Sequence, residues 1–357
     1  MIRRIGRWVR KHRMGLTVIS LVLVAAFWFS LPQQLFDVPY SMVLTDRNGK
    51  LLQARISQDG QWRFPFRDSL PPRYKQALIL FEDQRFYHHP GVDFLALGRA
   101  VIQNARAVKV LSGASTISMQ VVRLSHGKRK RNLGWKMLEF VQAFRLECRY
   151  SKEEILQLYA GHAPFGGNVV GIGAASWRYF GRHPYELSWA ELATLAVLPN
   201  TPSLMHPGRN RSSLKTKRDR LLDKLQNAGI IDAETNRLSK LENIPDKPLS
   251  LPQLAPHLLS SLKSHKISFQ ATENQSLQTT LDMEMQTRIA DLLFRHHQHL
   301  RANGINNAAA MVMDVESGNV LAYVGNVYQP DRPDYDSHVD VITAPRSPGS
   351  TLKPLLY

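Results

Sequence analysis

An uncharged apolar run directly behind a basic N-terminus is the feature that most restricts how this chain can fold. Residues 15–31 are rich in Leu, Val, Ala and Phe and carry no charge. At about 17 residues, the run is at the lower limit of length for crossing a bilayer. A backbone inside hydrocarbon must satisfy its own hydrogen bonds, so a segment of this kind has to be a helix. Residues 1–14 carry six Arg and Lys residues and no acid, which favours an N-terminus held in the cytoplasm.

A cleaved signal peptide is the alternative interpretation of this run. It is disfavoured because Leu31-Pro32-Gln33-Gln34 lacks the small-x-small pattern of a cleavage site. We therefore predict a single-pass anchor at residues 15–31 behind a cytoplasmic tail at 1–14. The remainder of the chain is then expected in the periplasm, attached to the inner (cytoplasmic) membrane.

The charge balance restricts the partners of the exported part. The chain of 357 residues has a net charge of +17, from 46 basic and 29 acidic residues. A basic excess favours phosphate-rich or anionic-lipid partners, although a solvated surface is the simpler explanation for any single charged run. Nucleic acid is excluded as a partner behind an export anchor. The lipids of the inner membrane and a lipid-linked pyrophosphate are the expected ones.

From about residue 71 to residue 205 the apolar spacing is helical and strand signals are scarce, which predicts a mostly α domain. Pro71 and Pro72 open a first helix that carries Glu82 at its end. Residues 93–108 suit a second helix.

Further helices of this domain are indicated by their caps and faces. Ser151 with Glu154, and Ser188 with Glu191, each fit a capping box before an apolar helix. Cys148, the one cysteine, excludes an internal disulfide and lies in an apolar helical pattern that predicts a core position. An amphipathic stripe at i, i+4, i+7, i+8 and i+11 is formed by Leu133, Met137, Phe140, Val141 and Phe144.

The segments on either side of this domain have a different character. Asn48-Gly49 between apolar runs predicts a β-hairpin over residues 41–57. Residues 206–250 are polar, with helical spacing near 213–227, and several prolines follow them. Two apolar, β-rich segments, 308–315 and 320–327, then predict a second hairpin that opens an α/β unit.

Two separated carboxylates, Glu82 and Glu139, are the candidates for chemistry. Glu82 closes an apolar helix, where burial disfavours the ionised form and suits proton transfer; an exposed helix-end acid is the alternative. Lys136 and Glu139 share a helix face, where a surface ion pair is the default interpretation. Residues 113–120 lie between the carboxylates as a Gly- and hydroxyl-rich turn leading into a helix, with Ser115 or Thr116 as its cap. Together these groups permit acid/base chemistry on a glycosidic bond near a phosphate.

In order and spacing these motifs resemble the peptidoglycan glycosyltransferase domain of class A penicillin-binding proteins, glycosyltransferase family 51. The first family motif matches Glu82, Asp83, Phe86, His89 and Gly91. The second matches Gly113, Ser115, Thr116 and Gln120, with Arg123 where the family usually has lysine. The third matches Lys136 and Glu139, with Trp135 in place of an arginine.

The resemblance continues through the fourth and fifth motifs. The fourth begins at Ser151 and includes Tyr159, but Ala160-Gly161 replaces the usual Leu-Asn. The fifth covers residues 191–202. Residues 162–167 and 174–177 are similar to the 1C subgroup of the family.

The resemblance implies a lysozyme-like helical domain that polymerises lipid II into β-1,4 glycan with inversion at the anomeric carbon. Glu82 would be the general base, and Glu139, Lys136 and Arg123 would manage the leaving pyrophosphate, with a divalent cation such as Mg²⁺ or Mn²⁺ and no organic cofactor. Lipid II and the growing glycan strand would be its substrates. The implied substrate-binding residues are Asp83, Phe86, His89, Ser115, Thr116, Gln120, Arg123 and Lys136.

A second resemblance lies near the C-terminus. Ser350 and Lys353 are similar to the Ser-x-x-Lys motif of penicillin-binding transpeptidases, in which the serine is the acylated nucleophile and the lysine assists it. The Ser-x-Asn and Lys-Thr-Gly partners would lie beyond residue 357. We therefore expect β-lactams to be partners only of a complete transpeptidase domain.

The expected organisation is mostly α, with a truncated α/β transpeptidase domain at the end. Two alternatives remain for the main domain: a catalytically weakened cell-wall scaffold, and a lysozyme-like enzyme that cleaves glycan. The basic groups around Glu139 disfavour cleavage, because cleavage has no use for pyrophosphate binders. The predicted segments are a tail at 1–14, an anchor at 15–31, a linker with hairpin at 32–70, a glycosyltransferase domain at 71–210, a hinge at 211–280 and a transpeptidase fragment at 281–357.

Overall fold

A computed structural model of the chain describes residues 13–65, 69–107, 115–127, 132–202, 205–264, 276–345, 347, 350 and 353–356. The chain divides into two compact units. The first comprises Met1–Pro39 with Phe66–Leu249, and the second comprises Tyr40–Pro65 with Ser250–Tyr357. Helices dominate, as the sequence predicts.

Helices and strands are numbered in chain order. The helices are α1 (Arg13–Trp28), α2 (Pro72–Glu82), α3 (Phe94–Ala107), α4 (Ile117–Ser125), α5 (Leu133–Arg149), α6 (Lys152–His162), α7 (Ile172–Phe180), α8 (Trp189–Val197), α9 (Arg211–Asn227), α10 (Ala233–Leu241), α11 (Pro256–Ser264), α12 (Met283–Leu300) and α13 (Lys353–Leu356). The strands are β1 (Met42–Thr45), β2 (Leu51–Arg55), β3 (Trp62–Arg63), β4 (Pro164–Gly166), β5 (Val169–Val170), β6 (Ser276–Gln278), β7 (Ala310–Met313) and β8 (Val320–Val324).

The core of the first unit is built around α8, which is apolar on nearly every side. The predicted capping box starts this helix: Ser188 Oγ accepts the Glu191 N–H at 3.2 Å, and the Glu191 carboxylate accepts the Ser188 N–H at 2.9 Å. Helices α2, α7 and α9 pack against α8. The second predicted capping box, Ser151 with Glu154, starts α6. The buried residues of α8 are Ala190, Leu192, Ala193, Thr194, Leu195, Ala196 and Val197.

The apolar stripe predicted on α5 is confirmed only in part, and the core position predicted for Cys148 is wrong. Phe140 and Phe144 pack against a buried core cluster, whereas Met137 and Val141 are 55% and 44% exposed. Cys148 is exposed. The buried side of α5 instead carries two polar residues, Gln142 and Arg145, next to Ala143 and Leu146. An apolar pattern cannot identify a face whose polar side chains are satisfied by distant backbone groups.

The chain at the end of α1 supplies those backbone groups. The Arg145 guanidinium lies 4.2 Å from the Trp28 ring centroid, and its Nε donates to Trp28 O at 3.1 Å. Gln142 Nε2 donates to Ser30 O at 2.6 Å. Helix α1 overlaps the predicted anchor and has 16 residues. Among the helices that the structure describes, none is both long enough and apolar enough to cross a membrane.

The first unit continues through α9 and α10, which lie in the polar stretch that the sequence suggested as a hinge. Four leucines of α9 are buried: Leu214, Leu221, Leu222 and Leu225. Arg218 of the same helix is only 1% exposed, and its guanidinium donates to Glu242 O at 2.7 Å and Lys240 O at 3.2 Å. These carbonyls lie at the C-terminus of α10, where a cation also favours the helix dipole. A buried arginine therefore fastens α10 to α9.

The second unit contains both predicted hairpins. Strands β1 and β2 are antiparallel, with Asp46 accepting the Asn48 and Lys50 N–H groups at 2.8 Å each in the turn, and β6 adds to β1 in parallel. Strands β7 and β8 form the second antiparallel pair. The core under the first hairpin is formed by Leu44, Leu52, Ala255, Leu259 and Leu281.

We expect Arg218→Met to lower the free energy of unfolding by about 2–4 kcal/mol, because two half-buried carbonyls and the side chain of Asp219 lose a buried, charged donor. Denaturant unfolding of the helical signal measures the change. The matched control is Arg220→Met, an exposed arginine on the same helix, with an expected effect of less than about 0.5 kcal/mol. Equal effects of the two substitutions would contradict the fastening role.

Candidate active site

Glu82 is the last residue of α2, and its carboxylate reaches a cleft in the first unit. Its Oε2 accepts a hydrogen bond from Gln120 Nε2 of α4 at 2.8 Å. Its Oε1 is buried and has no hydrogen-bond partner within the described part of the chain. One oxygen is therefore held by Gln120, and the other keeps its hydrogen-bonding capacity unused within the described residues. The predicted position of Glu82 at the end of an apolar helix is confirmed.

The surroundings of Glu82 favour its protonated form. Burial raises the pKa of the Glu82 carboxyl, and the neighbouring Asp83 carboxylate raises it further. The hydrogen bond from Gln120 and the charges of Lys217 and Arg123 act in the opposite direction. A carboxyl with a raised pKa is a stronger base than an exposed one, which suits general-base work.

Asp83 connects two segments that are far apart in sequence. The residue is 7% exposed, and its carboxylate accepts hydrogen bonds from His89 Nε2 at 3.0 Å and from the Ile117 N–H at 3.0 Å. The Gly91 N–H donates to His89 Nδ1 at 3.2 Å, which assigns the ring proton to Nε2. The carboxylate thus binds the turn after α2 and the N-terminus of α4 together. That contact places Gln120 of α4 beside Glu82.

The start of α4 is fixed by a second set of contacts. Thr116 is the N-cap, as the sequence allowed: its Oγ1 accepts the Met119 N–H at 3.2 Å and donates to Gly91 O at 2.5 Å. Gly91 has φ of +98°, and a Cβ at this position would lie 2.6 Å from Ala143 O. The close approach of the turn to α5 therefore requires glycine at this position.

Phe86 and His89, both in the first motif, are buried and contact protein groups. The Lys152 ammonium lies 4.3 Å from the Phe86 ring centroid and donates to His89 O at 2.7 Å. It also pairs with Glu147 at 2.7 Å, and Glu147 accepts from Ser118 of α4. This network links the first motif to α4, α5 and α6. It orients the turn that carries Asp83.

Arg123 is the cation that the structure brings to the second carboxylate. Its Nε and Nη2 donate to the two oxygens of Glu139 at 3.1 and 3.0 Å, a bidentate pair. Its Nη2 also lies 3.3 Å from Ser115 Oγ. The Lys136 side chain is exposed, so Glu139 pairs with Arg123 rather than with its helix neighbour.

Among the described residues, two cavities meet at Phe81, Glu82 and Ser115. The larger, about 590 Å³, is also lined by Gln120, Arg123, Tyr159 and Asn200. The smaller, about 260 Å³, is lined on its far side by Arg85, Arg99 and Gln103. Glu82 therefore faces space on two sides, and each space contains at least one guanidinium group.

The divalent cation implied by the resemblance has no protein-built site in the described ranges. No group of three or more His, Cys, Asp or Glu side chains is arranged there to hold a metal ion. Asp83 and Glu139 are already bound to protein donors. Asp83 and Glu139 therefore do not form a site in which side chains alone would bind a divalent cation.

Ser350 and Lys353, the residues of the second resemblance, lie in the second unit. Both are exposed, and Lys353 is the first residue of the short helix α13. Nothing in the described contacts of this unit joins the two side chains to each other. Their roles as nucleophile and assisting group therefore stay predictions.

Sequence reasoning assigned no role to Asn200, which lines the larger cavity, or to Lys217, which is bonded to it. Lys217 Nζ donates to Asn200 Oδ1 and to Thr201 Oγ1, each at 3.1 Å. Lys217 lies in a polar helix without any motif, so no local pattern distinguishes it from a solvated lysine. Only the packing of α9 against α2 brings it near Glu82.

Known proteins similar to this chain were found by sequence and by structure. Penicillin-binding protein 1C of Escherichia coli (strain K12) is 36% identical over 365 residues, covering 100% of this chain and 45% of the relative. Penicillin-binding protein 2D of Bacillus subtilis (strain 168) is 31% identical, covering 90% of this chain and 47% of the relative. The crystal structure of penicillin-binding protein 1A from Haemophilus influenzae aligns with a TM-score of 0.33 and 17% identity, over 83% of this chain and 33% of that chain. The chain spans about half the length of these sequence relatives.

The family match covers the segment that carries the site. The model of the transglycosylase family matches residues 48–226. Glu82, Asp83, Gln120, Arg123 and Glu139 all lie inside this range. The chain belongs to the transglycosylase family.

Proposed function

We propose that this chain is a peptidoglycan glycosyltransferase that polymerises lipid II into β-1,4 glycan strands in cell-wall synthesis. The observation that carries the proposal is Glu82: a half-buried carboxylate that lines two cavities, with one oxygen held by Gln120 and the other without a hydrogen-bond partner in the described part of the chain. A transfer between two sugar substrates needs a base with space for a substrate on each side. The family match and the penicillin-binding relatives support the same reaction.

Glu82 acts as the general base. Its carboxylate accepts the proton from the 4-hydroxyl of the acceptor sugar while the oxygen of that hydroxyl attacks the anomeric carbon of the donor. The bond from that carbon to the pyrophosphate oxygen breaks as the new glycosidic bond forms. Attack from the face opposite the leaving group inverts the anomeric centre. Gln120 holds the carboxylate in place through Oε2.

The leaving pyrophosphate is bound by the groups around Arg123. The Glu139 carboxylate holds the Arg123 guanidinium through two bonds, and the two N–H groups of Nη1, unused in the described contacts, are available to a phosphate oxygen. Ser115 adds a hydroxyl at the same wall of the cavity. Lys136 is exposed and reaches a phosphate from the solvent side. The positions of Asp83, Phe86, His89 and Thr116 support orientation of the site through protein contacts.

Residues 15–31 anchor the chain to the inner membrane as a single span, with the N-terminus in the cytoplasm and the catalytic unit in the periplasm. The support is the apolar character of α1, whose side chains are more than half exposed at Val18, Ile19, Leu21, Val22, Leu23 and Val24. Apolar side chains exposed in a continuous row mark a surface that another apolar phase covers. A lipid substrate is also most accessible to an enzyme held at the bilayer.

The second unit is the beginning of a penicillin-binding transpeptidase domain, with Ser350 as its nucleophile and Lys353 as the group that assists it. The support is the Ser-x-x-Lys spacing and the penicillin-binding relatives. β-Lactams are partners of the complete domain. Glycan cleavage by a lysozyme-like route is an outcome that the experiment below also detects.

We expect Glu82→Gln to abolish polymer formation, because the amide cannot accept the proton. The loss should be at least about 100-fold, since general-base catalysis typically contributes about 10²–10⁴-fold. Full-length chain in detergent micelles is incubated with labelled lipid II, and the products are separated by gel electrophoresis. Glu186→Gln, an exposed glutamate of the same unit, is the matched control and should retain wild-type activity.

Two results would contradict the proposal. Retention of more than roughly a tenth of the wild-type rate by Glu82→Gln would exclude the general-base role. Shortening of added glycan strands by the wild-type chain, without any polymer from lipid II, would establish cleavage instead.

We expect Glu139→Gln to lower the polymerisation rate by at least about tenfold, because Arg123 loses the charge that fixes it. Lys136→Ala should also lower the rate, whereas Lys130→Ala should have a smaller effect. Lys130 belongs to a basic run outside the described residues. Steady-state rates at saturating lipid II compare the three variants. A larger effect of Lys130→Ala than of the other two would place the phosphate site elsewhere.

A further inference from the structure

Lys217 is a half-buried cation that no motif of the family segment singled out. It lies on α9, which packs against α2, the helix that ends at Glu82. Its ammonium donates to Asn200 Oδ1 and to Thr201 Oγ1, each at 3.1 Å, and Asn200 lines the larger cavity. Two neutral oxygens from the turn after α8 therefore hold the ammonium next to a residue that lines the cavity.

The charge of Lys217 is not neutralised by a direct partner. Within the described residues, no carboxylate lies within ion-pair distance of its ammonium. Arg123, the cation that lines the larger cavity with Glu82, is balanced by its bidentate contact with Glu139. Lys217, held behind Asn200, therefore carries a positive charge that no described carboxylate neutralises by direct contact.

We propose that Lys217 is a positioning residue of the reaction, which holds Glu82 as a carboxylate ready to accept the acceptor's proton. The role of Lys217 in catalysis rests on the proposed function, but its effect on the ionisation of Glu82 does not. Asn200 and Thr201 fix where the ammonium stands. Because α9 packs against α2, the helix that ends at Glu82, these contacts also fix the ammonium relative to Glu82.

The other titratable and charged groups around Glu82 do not replace Lys217. Asp83 raises the pKa of Glu82, and Lys217 and Arg123 lower it. Tyr74 of α2 and Tyr159 of α6 are buried, and burial together with the charge of Glu82 raises the pKa of each hydroxyl, so both stay neutral. Burial lowers the pKa of Lys217, and Glu82 acts to raise it. The positive charge of Lys217 and the negative charge of Glu82 therefore each favour the ionised form of the other.

The positive charge of Lys217 determines the direction in which its removal moves the pKa of Glu82. Removing a positive charge near Glu82 raises the pKa of its carboxyl, so the base stays protonated to higher pH. The acidic limb of the rate profile then moves to higher pH. A role confined to holding Asn200 and Thr201 would lower the rate at every pH without moving the limb.

The test compares the full-length wild-type chain with Lys217→Met, Lys217→Arg and Lys215→Met. Lys215 is an exposed lysine on the same helix and serves as the matched control. The Glu82 carboxyl is titrated directly by ¹³C NMR in detergent micelles, with Glu82→Gln identifying its signal. The pH profile of lipid II polymerisation is measured in parallel.

We expect Lys217→Met to shift the titration of Glu82 and the acidic limb of the profile upward together. The rate at the acidic end should fall roughly tenfold, as expected when an opposite charge near a carboxylate is removed. The loss should become smaller as the pH rises. Lys217→Arg keeps the positive charge, so its acidic limb should lie close to that of the wild-type chain. Lys215→Met should leave the Glu82 titration and the pH profile of polymerisation unchanged.

An unchanged Glu82 titration in Lys217→Met would overturn the inference, whatever happens to the rate. So would an equal shift in Lys215→Met. Failure of the wild-type chain to polymerise lipid II would overturn the proposed function instead. In that case a shifted Glu82 titration would still uphold the electrostatic role of Lys217, so the two failures are distinguishable.

Discussion

The hydrogen bonds of the Asp83 carboxylate are the contacts on which the rest of the site depends. One buried side chain accepts from His89 in the turn after α2 and from the Ile117 N–H at the start of α4. A buried carboxylate without its donors would be strongly destabilising, so these two segments are held together wherever the unit is folded. As a result, Gln120 and Arg123 of α4 project into the same cavity as Glu82.

Burial and charge act against each other at Glu82. Burial in the cleft strengthens it as a base, while the cations around it keep it from being protonated. Arg123 is bound by Glu139, and in the proposed reaction it binds the leaving group. Lys217 is held by neutral oxygens, and we propose that its charge acts on the base. The proposed mechanism therefore divides the two cationic roles between α4 and α9.

Local signals in the sequence predicted much of the fold, and long-range contacts explain what they missed. The helix ending at Glu82, the capping boxes at Ser151 and Ser188 and both hairpins depend on neighbouring residues, and all are confirmed. The exposure of Cys148 could not be predicted, because Gln142 and Arg145 select the buried side of α5 by bonding to distant backbone. Lys217 was missed for the same reason, since its role depends on helix packing.

Amide hydrogen exchange at Ile117 tests most directly whether Asp83 fixes α4 against the turn after α2. The Ile117 N–H lies in the first turn of α4, and without Asp83 no backbone acceptor of the helix protects it. In the wild-type chain this amide should exchange slowly. In Asp83→Ala, which has no side-chain acceptor, it should exchange at least about tenfold faster, with amides in the centre of α8 unchanged. Equal protection of Ile117 in both proteins would contradict the account, because α4 would then be positioned by something other than Asp83.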